Sequence, residues 1–201
     1  AMTCSASRSK PFWLPSHLEY RNRAGMGRGY RDHLCAVVRQ PVPFRPMRVP
    51  RTFVFVDLTG FTNYTAEHGD DEAGRLLSRF RAATREVASE RGVRVAKWLG
   101  DGAMIVCLDR SDAIATALDL ECRTAEACAP LALRAGVAGG YALLFEGDDY
   151  IGSAVNLASR LCDAAGPHEV LLPADQVADL PAGIVATAVG ALALRGFNEP
   201  V

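Results

Sequence analysis

The stretch "RVAKWLGDGAMIVC", residues 94–107, reads as two apolar strands joined at Gly100-Asp101-Gly102. Asp-Gly is a favoured turn pair, because both residues tolerate the left-handed backbone of a tight hairpin. Two polar residues break the pattern: Lys97 in a strand interior and Asp101 at the tip. Upstream, "TFVFV" (52–56) is β-branched and aromatic with no polar break, as a strand buried on both faces should be. "DDEAGRLLSRFRAATREVASERG" (70–92) places Leu76, Leu77, Phe80, Ala83, Val87 and Ala88 at helical spacing and stops at Gly92, which predicts a long amphipathic helix. Downstream, "SDAIATALDLECRTAEACA" predicts a second helix with Ser111 as its cap, and "GSAVNLASRLCDAA" a third. "LALRAGVA", "YALLFEG", "EVLLP" and "ALALRG" read as further strands. Helices alternating with strands and hairpins predict an α+β fold: a ferredoxin-like, split βαβ open sheet with helices on one face.

The 201 residues, 49% of them hydrophobic, can bury one sizeable core. The net charge of -1 hides a split, since residues 1–51 hold ten Lys or Arg against two acids and the remainder twelve against twenty-one. That asymmetry predicts a boundary. Residues 1–50 form a basic, Pro/Arg-rich arm or linker, and residues 51–201 the folded domain. The arm is open to three readings: a flexible extension, a transit peptide or a nucleic-acid-binding segment. The run "AGIVATAVGALAL" (182–194) is too short and glycine-rich for a transmembrane helix, and no apolar block marks a signal peptide. The six cysteines show no CxxC spacing, as expected of free thiols in a reducing cytoplasm.

The polar residues each admit two readings. Asp57 ends the apolar strand and precedes "LTGFT", where Gly60, Phe61 and Thr62 open a helix able to offer backbone N–H groups to phosphate. Alone, Asp57 is a helix cap or a ligand, Asp101 a turn former or a ligand, and Lys97 a snorkelling surface lysine or a projecting donor. If the strand and the hairpin are sheet neighbours, two carboxylates emerge at one edge, beside a phosphate-ready loop, where hard cations can bind. In "VNLASR", Asn156 and Arg160 are spaced i, i+4 and so share a helical face. Asp149 lies just upstream in "EGDDYIGS".

The blocks "FVFVDLTGFT", "AKWLGDGAMI" and "GDDYIGSAVNLASRL", in that order and spacing, together with "LRGFNEPV", resemble the catalytic domain of class III nucleotidyl cyclases, most closely bacterial adenylyl cyclases. The resemblance covers residues 51–200. It implies that Asp57 and Asp101 bind two divalent cations, Mg or Mn, with the carbonyl of Leu58 assisting. It implies that Lys97 and Asp149 read adenine, that Asn156 and Arg160 orient the ribose and stabilise the α-phosphate, and that the product of ATP is 3′,5′-cyclic AMP. Because both residue sets sit on one chain, it also implies a head-to-tail homodimer with two composite sites. Tyr141 stands where many relatives carry a phosphate-reaching arginine, Arg195 is the candidate substitute near the C-terminal signature, and the chain stops at Val201 where relatives continue through one more short strand. Two other classes stay in view: a non-catalytic nucleotide-binding or dimerisation module of the same fold, and a nucleic-acid-associated protein led by the basic arm. The cyclase reading expects no nucleic-acid partner and a cytoplasmic protein.

Overall fold

A computed structural model describes residues 47–145 and 149–201. The chain divides into two units, Ala1–Pro43 and Phe44–Val201, and all elements described belong to the second. Most of the predicted arm lies outside the described residues, but its last few residues belong to a strand. In order, the elements are β1 (Met47–Leu58), α1 (Phe61–His68), α2 (Asp70–Arg91), β2 (Arg94–Leu99), β3 (Gly102–Cys107), α3 (Arg110–Ala127), β4 (Leu133–Phe145), β5 (Asp149–Ile151), α4 (Ser153–Ala164) and β6 (Val170–Leu171). A 3-10 turn at Ala174–Asp179 follows, and residues 181–201 carry no helix or strand.

The strands form one open α+β sheet, ordered β2-β3-β1-β4-β5, with β6 pairing parallel to β4. Alternation along β1 builds two cores. Val54, Val56 and Leu58 face Leu76, Phe80 and Val87 of α2 and Ile114, Ala117 and Leu120 of α3. Phe53, with Met104 and Val106 of β3, faces Ala154, Ala158 and Leu161 of α4. The predicted face therefore holds α1, α2 and α3, while α4 covers the opposite one. The sequence of α4 carries the cause, since small Ala154 and Ala158 let it settle onto β4. At Gly136 the approach leaves no room for a side chain: a Cβ there would stand 2.2 Å from the Ala158 carbonyl and 2.3 Å from the Cys162 nitrogen.

The expected helices form with small shifts. α2 places Asp70, Asp71 and Glu72 in its first turn, favourable to the helix dipole, and ends at left-handed Gly92. α3 is capped by Asp109, whose carboxylate accepts from the N–H groups of Ser111 (2.8 Å) and Asp112 (3.3 Å), so Ser111 is inside the helix rather than its cap. "LALRAGVA" and "YALLF" are one strand, not two. Gly139 and Gly140 do not break it because β1 continues opposite, pairing Arg51 with Gly140 and Thr52 with Gly139, and because the Gln176 side chain bonds the Gly139 main chain on the other side, Oε1 accepting at 2.8 Å and Nε2 donating at 3.3 Å. "ALALRG" forms no strand. Leu192 and Val201 exchange one pair of backbone hydrogen bonds (2.8 and 3.0 Å), while Leu194 is buried against the second core. The apolar residues found a core without a ladder to join.

Candidate functional site

Asp57 does not cap a helix. It lies within β1, opposite Gly102 of β3 on one side and Arg134 of β4 on the other, and α1 starts from Gly60 with no side-chain cap. The hairpin tip comes to the same edge, where the Leu58 N–H donates to the Asp101 carbonyl at 3.3 Å. The opening stretch owes its two glycines to this packing. Gly100 takes a left-handed φ of 74°, and a Cβ on Gly102 would meet the Val56 carbonyl at 2.5 Å. Asp101 is thus fixed between a turn and a close strand contact.

The electrostatics follow from this crowding. Burial pushes the Asp101 carboxyl above its ordinary range, and the neighbouring Asp57 charge adds to the rise; a bond to its own backbone N–H and the positive Arg134 oppose it. Arg134 is the neighbour of Asp57 that sequence reading missed. Its Nη2 and Nε donate to Oδ2 of Asp57 at 2.6 and 3.0 Å, and its Nη1 donates to the Asp163 carbonyl at 3.2 Å. The available signal was a cation inside "LRAGVA", an otherwise apolar strand. Leu58 is buried by its side chain, so only its backbone can serve a ligand.

Lys97 and Asp149 form an ion pair between residues 52 apart in sequence. They sit on β2 and β5, the opposite edges of the sheet order. They meet because β5 returns over the α4 face, where Tyr150 packs edge-on to Phe53 with ring centroids 5.4 Å apart and Ala96 joins the same core. On α4, Asn156 is exposed, and Arg160 one turn later donates to the Asp163 carboxylate at 2.7 Å. The N–H groups of Phe61 and Thr62 belong to the first turn of α1, which lacks intrahelical acceptors for its leading donors. Arg195 is exposed in the irregular C-terminal segment, and Tyr141 is exposed on β4.

Most of the predicted residues thus fall into three sets: Asp57, Leu58 and Asp101 at one sheet edge; Lys97 with Asp149, joined by an ion pair; and Asn156 with Arg160, which share α4 without a bond between them. Gly60, Phe61 and Thr62 stand at the start of α1, and Arg195 in the C-terminal segment. The first set supplies only oxygen donors, the chemistry of hard cations. Among the described residues no group of three or more His, Cys, Asp or Glu converges as a metal cage. No helix among them is long and apolar enough to cross a membrane.

No family model matches the chain. Over 127 residues it is 39% identical to a pH-sensitive adenylate cyclase of Mycobacterium tuberculosis, a match spanning 63% of this chain and 31% of that protein. The chain spans between 29 and 38% of the length of the curated relatives it matches. Among solved structures, the adenylyl cyclase CyaB of P. aeruginosa superposes with a TM-score of 0.66 at 26% identity, covering 78% of this chain and 93% of that one. The guanylyl cyclase Cya2 shares the fold alone, with a TM-score of 0.66 at 18% identity over 77% of this chain and 90% of its own. With the fold, the order of the blocks and these likenesses in agreement, the chain carries a catalytic domain of the class III nucleotidyl cyclase type.

Proposed function

We propose that the chain is an adenylyl cyclase, converting ATP to 3′,5′-cyclic AMP and pyrophosphate in composite sites between two copies of itself. The observation that carries the reading is the Lys97–Asp149 pair. It sets an obligate donor beside an acceptor, 46% and 48% exposed and so open to a base. Adenine N1 accepts from the ammonium and the 6-amino group donates to the carboxylate, whereas guanine presents N1–H and O6 and reverses both demands.

The remaining roles follow from placement. Asp57, Asp101 and the Leu58 carbonyl fit two Mg or Mn ions, both as an all-oxygen donor set and because the Asp57 carboxylate already holds a cation, the Arg134 guanidinium. When bound, the ions acidify the ribose 3′-hydroxyl and neutralise charge on the triphosphate. Gly60, Phe61 and Thr62 receive phosphate oxygens on the α1 N–H groups. Asn156 orients the ribose, and Arg160, released from Asp163, gives two planar donors to the α-phosphate as charge develops there. Arg195 is the candidate second cation for the triphosphate. A two-fold dimer completes each site with the Asp57 edge of one protomer and the Lys97, Asp149 and α4 residues of the other. The catalytic unit comprises residues 51–201 together with Met47–Pro50, the end of the predicted arm that belongs to β1.

Purified full chain supplied with Mn and either ATP or GTP tests this directly. Cyclic AMP and pyrophosphate are expected from ATP, with little cyclic GMP. Equal or greater turnover of GTP overturns the base assignment, and no cyclic product from either nucleotide favours the non-catalytic module.

A further inference from the structure

Arg134 is a charged side chain in a strand whose neighbours Leu133, Ala135 and Val137 are buried in the first core. A guanidinium held there needs partners, and each of its three nitrogens has one. Nε and Nη2 converge on a single oxygen of Asp57, Oδ2, at 3.0 and 2.6 Å. Nη1 donates to the main-chain carbonyl of Asp163 in the last turn of α4, at 3.2 Å. Neither anchor depends on the guanidinium for its place, since Asp57 faces Arg134 by strand register and α4 is packed onto β4 at Gly136.

The grip is one-sided. Oδ2 receives both donors, while Oδ1 lies toward β3, only 3.2 Å from where a Cβ on Gly102 would stand. Gly102 follows Asp101. From this the geometry points to Arg134 as a positioning residue of the metal-binding edge: it holds Asp57 by Oδ2 and presents Oδ1 toward Asp101. The assignment rests on the metal-dependent reading given above. A carboxylate fixed by one oxygen has less rotational freedom to lose when the other is ligated. A planar fork can supply two converging donors while a third nitrogen is tied elsewhere, which a lysine ammonium on a flexible stem does not reproduce.

Arg134→Gln and Arg134→Lys in the full chain test the role. Mn²⁺ is titrated in the presence of 3′-deoxy-ATP, which lacks the attacking hydroxyl, and bound Mn²⁺ is counted by electron paramagnetic resonance. Asp57→Ala supplies the background from metal carried by the nucleotide alone. Groups that orient a ligand typically contribute about 10–100-fold in metal affinity, so both variants are expected to bind Mn²⁺ at least about tenfold more weakly than the wild type. Loss in Arg134→Lys as well as Arg134→Gln identifies the fork, not the charge, as the working feature. Equal or tighter binding by Arg134→Gln overturns the proposal, making the guanidinium a bystander or a competitor for Asp57. Should Arg134→Gln fail to fold, unchanged Mn²⁺ affinity in Arg134→Lys overturns it alone. A wild type that binds no Mn²⁺ above background overturns the metal reading itself, and the role of Arg134 with it. A wild type that binds Mn²⁺ and forms cyclic AMP, beside variants of unchanged affinity, overturns only the role of Arg134.

Discussion

Among the ion pairs that join residues far apart in sequence, Asp57–Arg134 and Lys97–Asp149 are built differently. The first lies across neighbouring strands at a fixed register, its side chains 26% and 28% exposed. The second joins the opposite edges of the sheet order and is nearly half exposed on both sides. Strand pairing places Asp57 before any side chain bonds, so its geometry is preorganised at no further conformational cost. The curl of β5 over Phe53 places Asp149, and an exposed pair of this kind contributes only about 0–1 kcal/mol. On the proposed reading, the pair at the metal-binding edge is fixed by strand register and the pair at the base site is the easier to open.

The strongest way to break the comparison is to separate the two sets between subunits. On the composite-site proposal, Asp57→Ala disables one half of each site and Asn156→Ala the other, so either homodimer is expected to be nearly inactive. After subunit exchange of equal amounts, half the dimers are mixed and one of their two sites is intact, so about a quarter of wild-type activity returns. A mixture as inactive as its parents, with exchange verified by labelled subunits, shows that each site is built within one chain.

A smaller effect is expected at the exposed pair. Lys97→Glu places two carboxylates together where adenine needs a donor, lowering ATP turnover in proportion to an unpaired polar group of about 1–3 kcal/mol. The melting temperature should barely move, since the pair is a surface one. Undiminished ATP turnover in this variant removes Lys97 from the base site.

The smallest effect concerns stability. Because folding raises the Asp101 carboxyl above its ordinary range, protonated Asp101 favours the folded chain, and that contribution fades as pH rises through the folded value. Asp101→Asn is therefore expected to melt slightly above the wild type near neutral pH, with the difference closing as pH falls through the carboxylate range. Thermal unfolding of both chains across that range is the measurement. A difference that is constant with pH shows that the Asp101 charge is not the cause.

The long helix α2 and the β2–β3 hairpin were legible because their cues are local: apolar spacing, a terminal Gly92 and a Gly-Asp-Gly tip. The α3 cap moved from Ser111 to Asp109 because the helix already starts at Arg110, ahead of the apolar spacing that marks it, and the Asp109 carboxylate reaches the N–H groups of Ser111 and Asp112. Arg134 escaped notice because its meaning depends on Asp57, 77 residues away. The missing strand at "ALALRG" shows the converse, since its alternation encodes burial, which Leu194 obtains, whereas a ladder needs a partner that alternation cannot supply.

The residue types and their order, by themselves, determined the α+β class and the Asn156–Arg160 face, which follow from periodicities of two and 3.6. Asp57 and Asp101 were candidate carboxylates on condition that their strands are neighbours, and Lys97 and Asp149 stood out as donor and acceptor only through the resemblance of the three blocks to class III cyclases. Only the tertiary structure decided that α4 crosses the sheet on the opposite face, that β5 brings Asp149 to Lys97, and that Arg134 grips a single oxygen of Asp57. Each of these depends on strand register, sheet curvature or close backbone approach at a glycine, and those are set by contacts between segments that no local pattern contains.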